Sequence, residues 1–273
     1  MGWVAMFQLS QYPVVGQFKL THYPVPNGSL TGIVNISMRT HLILLTLSIA
    51  ITFGQLTAEQ TQTFNLGSSA TPSDLQDMTL LLRITGGLEH LTTAPQQITV
   101  KGTAAELAIA DWLFHELDHP TGSAYQIAKN DSMRVIFVAE TGTPRDLQEM
   151  GTVVRSTANN RKLMIHGSKR AVAVRGTAEE LALVQWLVQQ LDQTASADIA
   201  KRSPADYKFA TDDAVRIFYT AQVGQPLQEL CTRVRSTIRI PQMFVYNHQG
   251  ALVVRGTVDQ LDKAGKLVVG EAR

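Results

Sequence analysis

The chain has 273 residues, 44% of them hydrophobic and 17% charged, so it is long enough for more than one packed domain and too apolar to be disordered. Lys plus Arg is 24 against 23 for Asp plus Glu, a formal net charge of +1, which lacks the basic excess a dedicated nucleic-acid binder normally carries. A single cysteine, Cys231, excludes an internal disulfide framework and a cysteine-based zinc finger.

The first informative segment is Leu42 to Phe53, LILLTLSIAITF. It is shorter than the ~20 residues that span a bilayer. Arg39 precedes it and Gly54 and Ala58 follow it, which is the layout of a secretory signal peptide with cleavage after Gly54 or Ala58. Residues 1–37 contain no acidic residue. We expect translation to start at Met38, residues 38–58 to form the signal peptide, and residues 1–37 to lie upstream of the true start or form an N-terminal extension. An uncleaved signal anchor and a buried core helix are the alternatives. No cysteine follows the apolar run to carry a lipid.

The remainder reads as one unit written three times. Gln97-Ile98-Thr99-Val100-Lys101-Gly102-Thr103, Ala171-Val172-Ala173-Val174-Arg175-Gly176-Thr177 and Ala251-Leu252-Val253-Val254-Arg255-Gly256-Thr257 are matched, as are the upstream segments starting at Asp74, Asp146 and Pro226. Leu75 to Leu147 is 72 residues and Gly102 to Gly176 is 74; Leu147 to Leu227 and Gly176 to Gly256 are both 80. Two anchors that keep nearly constant offsets define a tandem repeat.

Each copy begins with a strand: Thr63 to Leu66, Arg134 to Val138 and Val215 to Tyr219. A helix follows, opened in the first two copies by Thr71-Pro72 and Thr143-Pro144. A hairpin comes next, and its second strand alternates so that Val172 and Val174 share one face while Ala173 and Arg175 share the other. One sheet face is therefore expected in the core and the other open to water or a partner. Thr103-x-x-Glu106, Thr177-x-x-Glu180 and Thr257-x-x-Gln260 are capping boxes that start a closing helix. The order is β-α-β-β-α, a two-layer α+β architecture. The units are placed at residues 63–118, 133–192 and 214–273, with His119 to Ser132 and Gln193 to Asp213 as linkers.

The run of short apolar strand, Arg-Gly-Thr, capped helix and Leu-Asp resembles the small N-terminal modules of bacterial secretins. It is strongest over Ala171 to Asp192, then Gln97 to Asp118, then Ala251 to Leu267. Secretins are outer-membrane channels of secretion and type IV pilus machines. Their periplasmic modules have a β-α-β-β-α fold related to the KH domain. The resemblance implies periplasmic interaction modules without the channel-forming domain.

The sequence contains no phosphate-binding loop, nucleophile elbow or CxxC pair. It does contain His115-Glu116-Leu117-Asp118-His119, a literal H-E-x-x-H. On a helix that motif offers two imidazoles to Zn²⁺ and a glutamate as general base. Pro120 and the helix-end position argue against it, because the residue before proline is pushed from helical geometry. Trp112 and Trp186 recur at one helical position and are candidate interface anchors, half-buried by packing. Lys101, Arg175 and Arg255 recur at a strand end, either solvated or contacting a phosphate or carboxylate. Cys231 reads as a small buried apolar residue.

The expected function is therefore a non-enzymatic, exported scaffold that engages an envelope protein partner, is capable of weak self-association and needs no cofactor. The competing readings are a zinc hydrolase built on His115, Glu116 and His119, and a KH-like nucleic-acid binder. The latter needs a GxxG loop, and Gly86-Gly87 lacks that spacing. Copy three has Lys266 where the others have tryptophan, and reads as a polar capping repeat.

Overall fold

The computed structural model describes residues 59–67, 69–194 and 202–271. The apolar segment and its expected cleavage region lie outside the described residues. Within them, the first unit comprises β1 (Gln60–Asn65), α1 (Pro72–Ile84), β2 (Leu91–Ala94), β3 (Gln97–Gly102) and α2 (Ala104–Asp118). The second comprises β4 (Tyr125–Ala128), β5 (Asp131–Phe137), α3 (Pro144–Ala158), β6 (Leu163–His166), β7 (Ala171–Gly176) and α4 (Ala178–Leu191). The third comprises β8 (Ala205–Lys208), β9 (Asp213–Tyr219), α5 (Gln225–Ile238), β10 (Gln242–Tyr246), β11 (Ala251–Thr257) and α6 (Val258–Glu271). The result is an α+β chain of repeated β-α-β-β-α-like units.

Local chemistry accounts for the helix starts. Thr71, Thr103, Thr143 and Thr177 each accept the N3 amide, while the N3 carboxylate accepts the cap amide in return. Thr257 and Gln260 make the same reciprocal pair at α6. Helix α5 lacks this device: Gly224 is its N-cap and Pro226 stands in its first turn. Arg239, at φ 61°, ends it in the left-handed region.

Three antiparallel sheets result, ordered β1-β3-β2, β4-β5-β7-β6 and β8-β9-β11-β10. Two corrections to the sequence reading follow. First, the segments read as linkers each contain a strand: β4 pairs with β5, and β8 pairs with β9. These strands have only four residues, and Ala205-Asp206-Tyr207-Lys208 carries one strong strand former, so packing rather than propensity forms them.

Second, among the described residues the outer sheet face is open in the first unit only. Val172 and Val174 pack with the second unit's own helices, whereas Ala171 and Ala173 on the opposite face join the core of the first unit. All four are fully buried. Leu252 and Val254 likewise face the third unit's helices, while Ala251 and Val253 join the core of the second. In β3 the alternation is amphipathic: Ile98 and Val100 are buried, and Gln97 and Lys101 are exposed.

Candidate functional site

What covers each outer face is the first helix of the preceding unit. Helix α1 lies on β6 and helix α3 lies on β10. The two joints use the same contacts at matched positions. Asp77 on α1 accepts a 2.8 Å hydrogen bond from the Gly167 amide in the hairpin turn of the second unit. Glu149, 72 residues later on α3, accepts a 3.0 Å bond from the Asn247 amide and a further bond from its side chain. Gly167 and Asn247 are 80 residues apart, the spacing of the second repeat.

The recurrent arginines form the other end of each joint. Arg175 is held by Asp131, whose carboxylate accepts from Nε at 3.0 Å and from Nη2 at 2.6 Å. Its remaining nitrogen, Nη1, donates to the Gly86 carbonyl of the first unit at 2.9 Å. Arg255 repeats this with Asp213 and donates to the Thr157 carbonyl of the second unit, also at 2.9 Å. Both carbonyls lie at the C-terminal end of the preceding unit's first helix, where backbone acceptors lack helical partners and the helix dipole favours a cation. Gly87 adopts φ +75°, and a Cβ there would lie 2.9 Å from Arg175 Nη1. The Gly86-Gly87 pair is thus a helix terminus shaped around Arg175. Of the two readings of these strand ends, solvated or in contact with a carboxylate, Arg175 and Arg255 take the second and are partly buried, whereas Lys101 is exposed, in a 2.6 Å pair with Glu59. The Arg175 hydrogen bonds hold the Asp131 carboxyl below its usual range.

The tryptophans also lie at the joints. Trp112 packs against Tyr125 of β4, and Trp186 against Tyr207 of β8, with ring centroids 5.4 Å apart in both pairs. Phe209 extends the second cluster and lies beneath the Arg255 guanidinium. Each indole is half-buried, with one side spent on the following unit.

The H-E-x-x-H segment sits at the end of α2. His115 and His119 are exposed and their rings are 5.3 Å apart. Glu116 is turned inward and 1% exposed. Its carboxylate accepts from the Thr121 amide, the Gly122 amide and the Thr121 hydroxyl, at 2.9, 2.8 and 2.7 Å. The glutamate therefore builds the loop into β4 and points away from the two imidazoles. Among the described residues no group of three or more His, Cys, Asp or Glu is placed to hold a metal.

No family model and no curated protein matches the chain. Solved structures do. The N-terminal domain of the secretin XcpQ from Pseudomonas aeruginosa aligns over 78% of this chain and 100% of its own length, at 15% identity and a TM-score of 0.26. The chain is similar to secretin N-terminal domains. Aeromonas hydrophila ExeD aligns over 79% of this chain at 13% identity and a TM-score of 0.20, and the type II secretion system secretin GspD of E. coli K12 over 80% at 10% identity and a TM-score of 0.20. The chain spans 41% of the length of ExeD and 39% of that of GspD.

In this array, sequence reasoning singled out Trp112, Trp186, Arg175 and Arg255 but missed their partners. Asp77 and Glu149 were legible only as acidic residues at matched positions. Tyr125 and Tyr207 lay in segments read as linkers, although their 82-residue separation tracks that of Asp131 and Asp213. The Leu-Asp ending has its own use at Asp192, whose carboxylate accepts the amides of Ala139, Glu140 and Thr141 at 2.7 to 2.9 Å.

Proposed function

We propose that the chain is a non-catalytic, exported scaffold of three secretin-type units that presents a fixed array of surfaces to an envelope protein partner in a secretion or pilus-like assembly. The observation that carries this reading is the matched pair of joints. An arginine, an acidic residue and an aromatic pair recur at each, so the polar groups that stood out in the sequence are engaged in holding units together. Repeat arrays bind through surfaces composed by neighbouring units, and fixed neighbours keep such surfaces in register. Export and the envelope location rest on the apolar segment at residues 42–53 and on the secretin-like motif.

The test is capture of partners from a bacterial envelope fraction by the purified chain, with identification by mass spectrometry, beside N-terminal sequencing of the protein recovered from cells. Recovery of envelope secretion components and a mature terminus near residues 55–59 supports the proposal. A mature chain that retains residues 42–53 overturns export by cleavage. Hydrolytic activity that disappears in Glu116→Gln overturns the non-catalytic reading.

A further inference from the structure

The joint between the first and second units has a buried histidine on the strand under α1, at a position that the second joint fills with tyrosine. His166 is the last residue of β6, directly under α1, and is 3% exposed. Among the described residues its Nδ1 has no hydrogen-bond partner. The charged groups that face it are Asp74 and Asp77 on α1, Asp118 at the end of α2, and Lys169 in its own hairpin turn. The α1 carboxylates are already engaged. Asp74 accepts from the amide and hydroxyl of Thr71 and is hydrogen-bonded by Ser168. Asp77 accepts the Gly167 amide. Eighty residues on, the matched position in the third unit is Tyr246, which is fully buried and has no ammonium-like state.

We propose that this joint is a proton-operated hinge, in which protonation of His166 loosens α1 from β6. An imidazolium needs acceptors at both nitrogens, and the closed joint supplies none at Nδ1. Opening the joint lets water supply it. Burial disfavours the charged ring more strongly than the neighbouring carboxylates favour it, so the closed state holds the imidazole below its ordinary value of 6.5. The sign follows. The open state binds the proton more readily, so the closed joint is at full strength above about pH 6.5 and weakens as pH falls below it. The second joint has tyrosine at the same place, and its own histidine, His248, sits instead in the hairpin turn, 3.4 Å from the Asp146 carboxylate on α3.

Hydrogen exchange at the Gly167 amide reads the joint directly, because that amide is donated to Asp77 across it. In the full chain, protection at Gly167 relative to its intrinsic rate is expected to fall by up to about tenfold between about pH 7.5 and pH 5.5. His166→Tyr, which installs the residue of the second joint, should flatten that dependence, and His166→Gln should do so without added bulk. Unchanged protection in the natural chain across this range would overturn the proposal. So would a fall of the same size in both variants, which would assign the effect to the carboxylates.

Discussion

Arg175 of the second unit donates to the Gly86 carbonyl of the first at 2.9 Å while Asp131 grips its other two nitrogens. The guanidinium thus serves both as a strand-end ion pair within its own unit and as a cap on its neighbour's helix. A lysine could not reproduce this, since its single nitrogen cannot grip the carboxylate through two parallel N–H donors on separate atoms while a third nitrogen reaches the carbonyl.

Replacing Arg175 should therefore weaken the joint as well as the unit. Arg175→Ala is expected to cost about 2 kcal/mol, because it strands the Gly86 carbonyl and the partly buried Asp131. Lys101→Ala, which removes the exposed counterpart, should cost well under about 1 kcal/mol. Urea melts of the two variants test the ordering. Equal losses would mean that the cross-unit bond contributes nothing.

Asp131 sets an acid limb. Its carboxyl is held low by the Arg175 hydrogen bonds, so its contribution is present above its unfolded value of 3.8 and is lost as pH falls through the lower folded value. Asp131→Asn should flatten the stability profile below about pH 4 and leave the histidine range untouched. Denaturation midpoints across that range check this. An unchanged acid limb would assign it to other carboxylates.

Trp112→Ala should uncouple the first two units without unfolding either core, since the indole is half-buried and one side of it packs on Tyr125 of the second unit. The expected loss is about 2 kcal/mol, below the ~3–5 kcal/mol of a fully buried aromatic. Calorimetry should resolve the single transition into two. By contrast, Leu187→Ala inside the second core should cost ~2–5 kcal/mol, and the cap variant Thr177→Ala only ~1 kcal/mol. A Thr177→Ala loss exceeding that of Leu187→Ala would place the core elsewhere.

The repeat and its helix starts were legible because they are local: a threonine and a carboxylate three residues apart specify a cap regardless of the fold around them. The joints were not legible because they are relations between copies. Ala171 and Ala173 looked like the residues of a half-exposed strand, being small and weakly apolar. Small side chains let the core of the first unit close over β7, so the same residues that suggested exposure are completely buried. Strands β4 and β8 were hidden for a related reason: they are too short to announce themselves, and they form because Tyr125 and Tyr207 have a tryptophan to rest on.

The two ends of the array differ from its joints in a way that can be tested by shortening it. Val153 on α3 is buried, and the matched residue on the last first-helix, α5, is the exposed Arg233. Leu183 and Trp186 on α4 correspond to the exposed Lys263 and Lys266 on α6. At the other end, Thr99 and Gln97 replace Ala173 and Ala171. Both ends are thus polar where the joints are apolar, which opposes end-to-end stacking of whole chains. Ending the chain at Thr194 removes the third unit and uncovers the α3 face and Trp186. That truncated protein is expected to self-associate at micromolar concentration, as exposed apolar patches do. Adding V153R, L183K and W186K should transplant the natural end onto the second unit and restore a monomer. Sedimentation velocity distinguishes the outcomes. A truncated protein that stays monomeric without the three changes would show that the third unit shields nothing, and that the polar residues on α5 and α6 are not a cap.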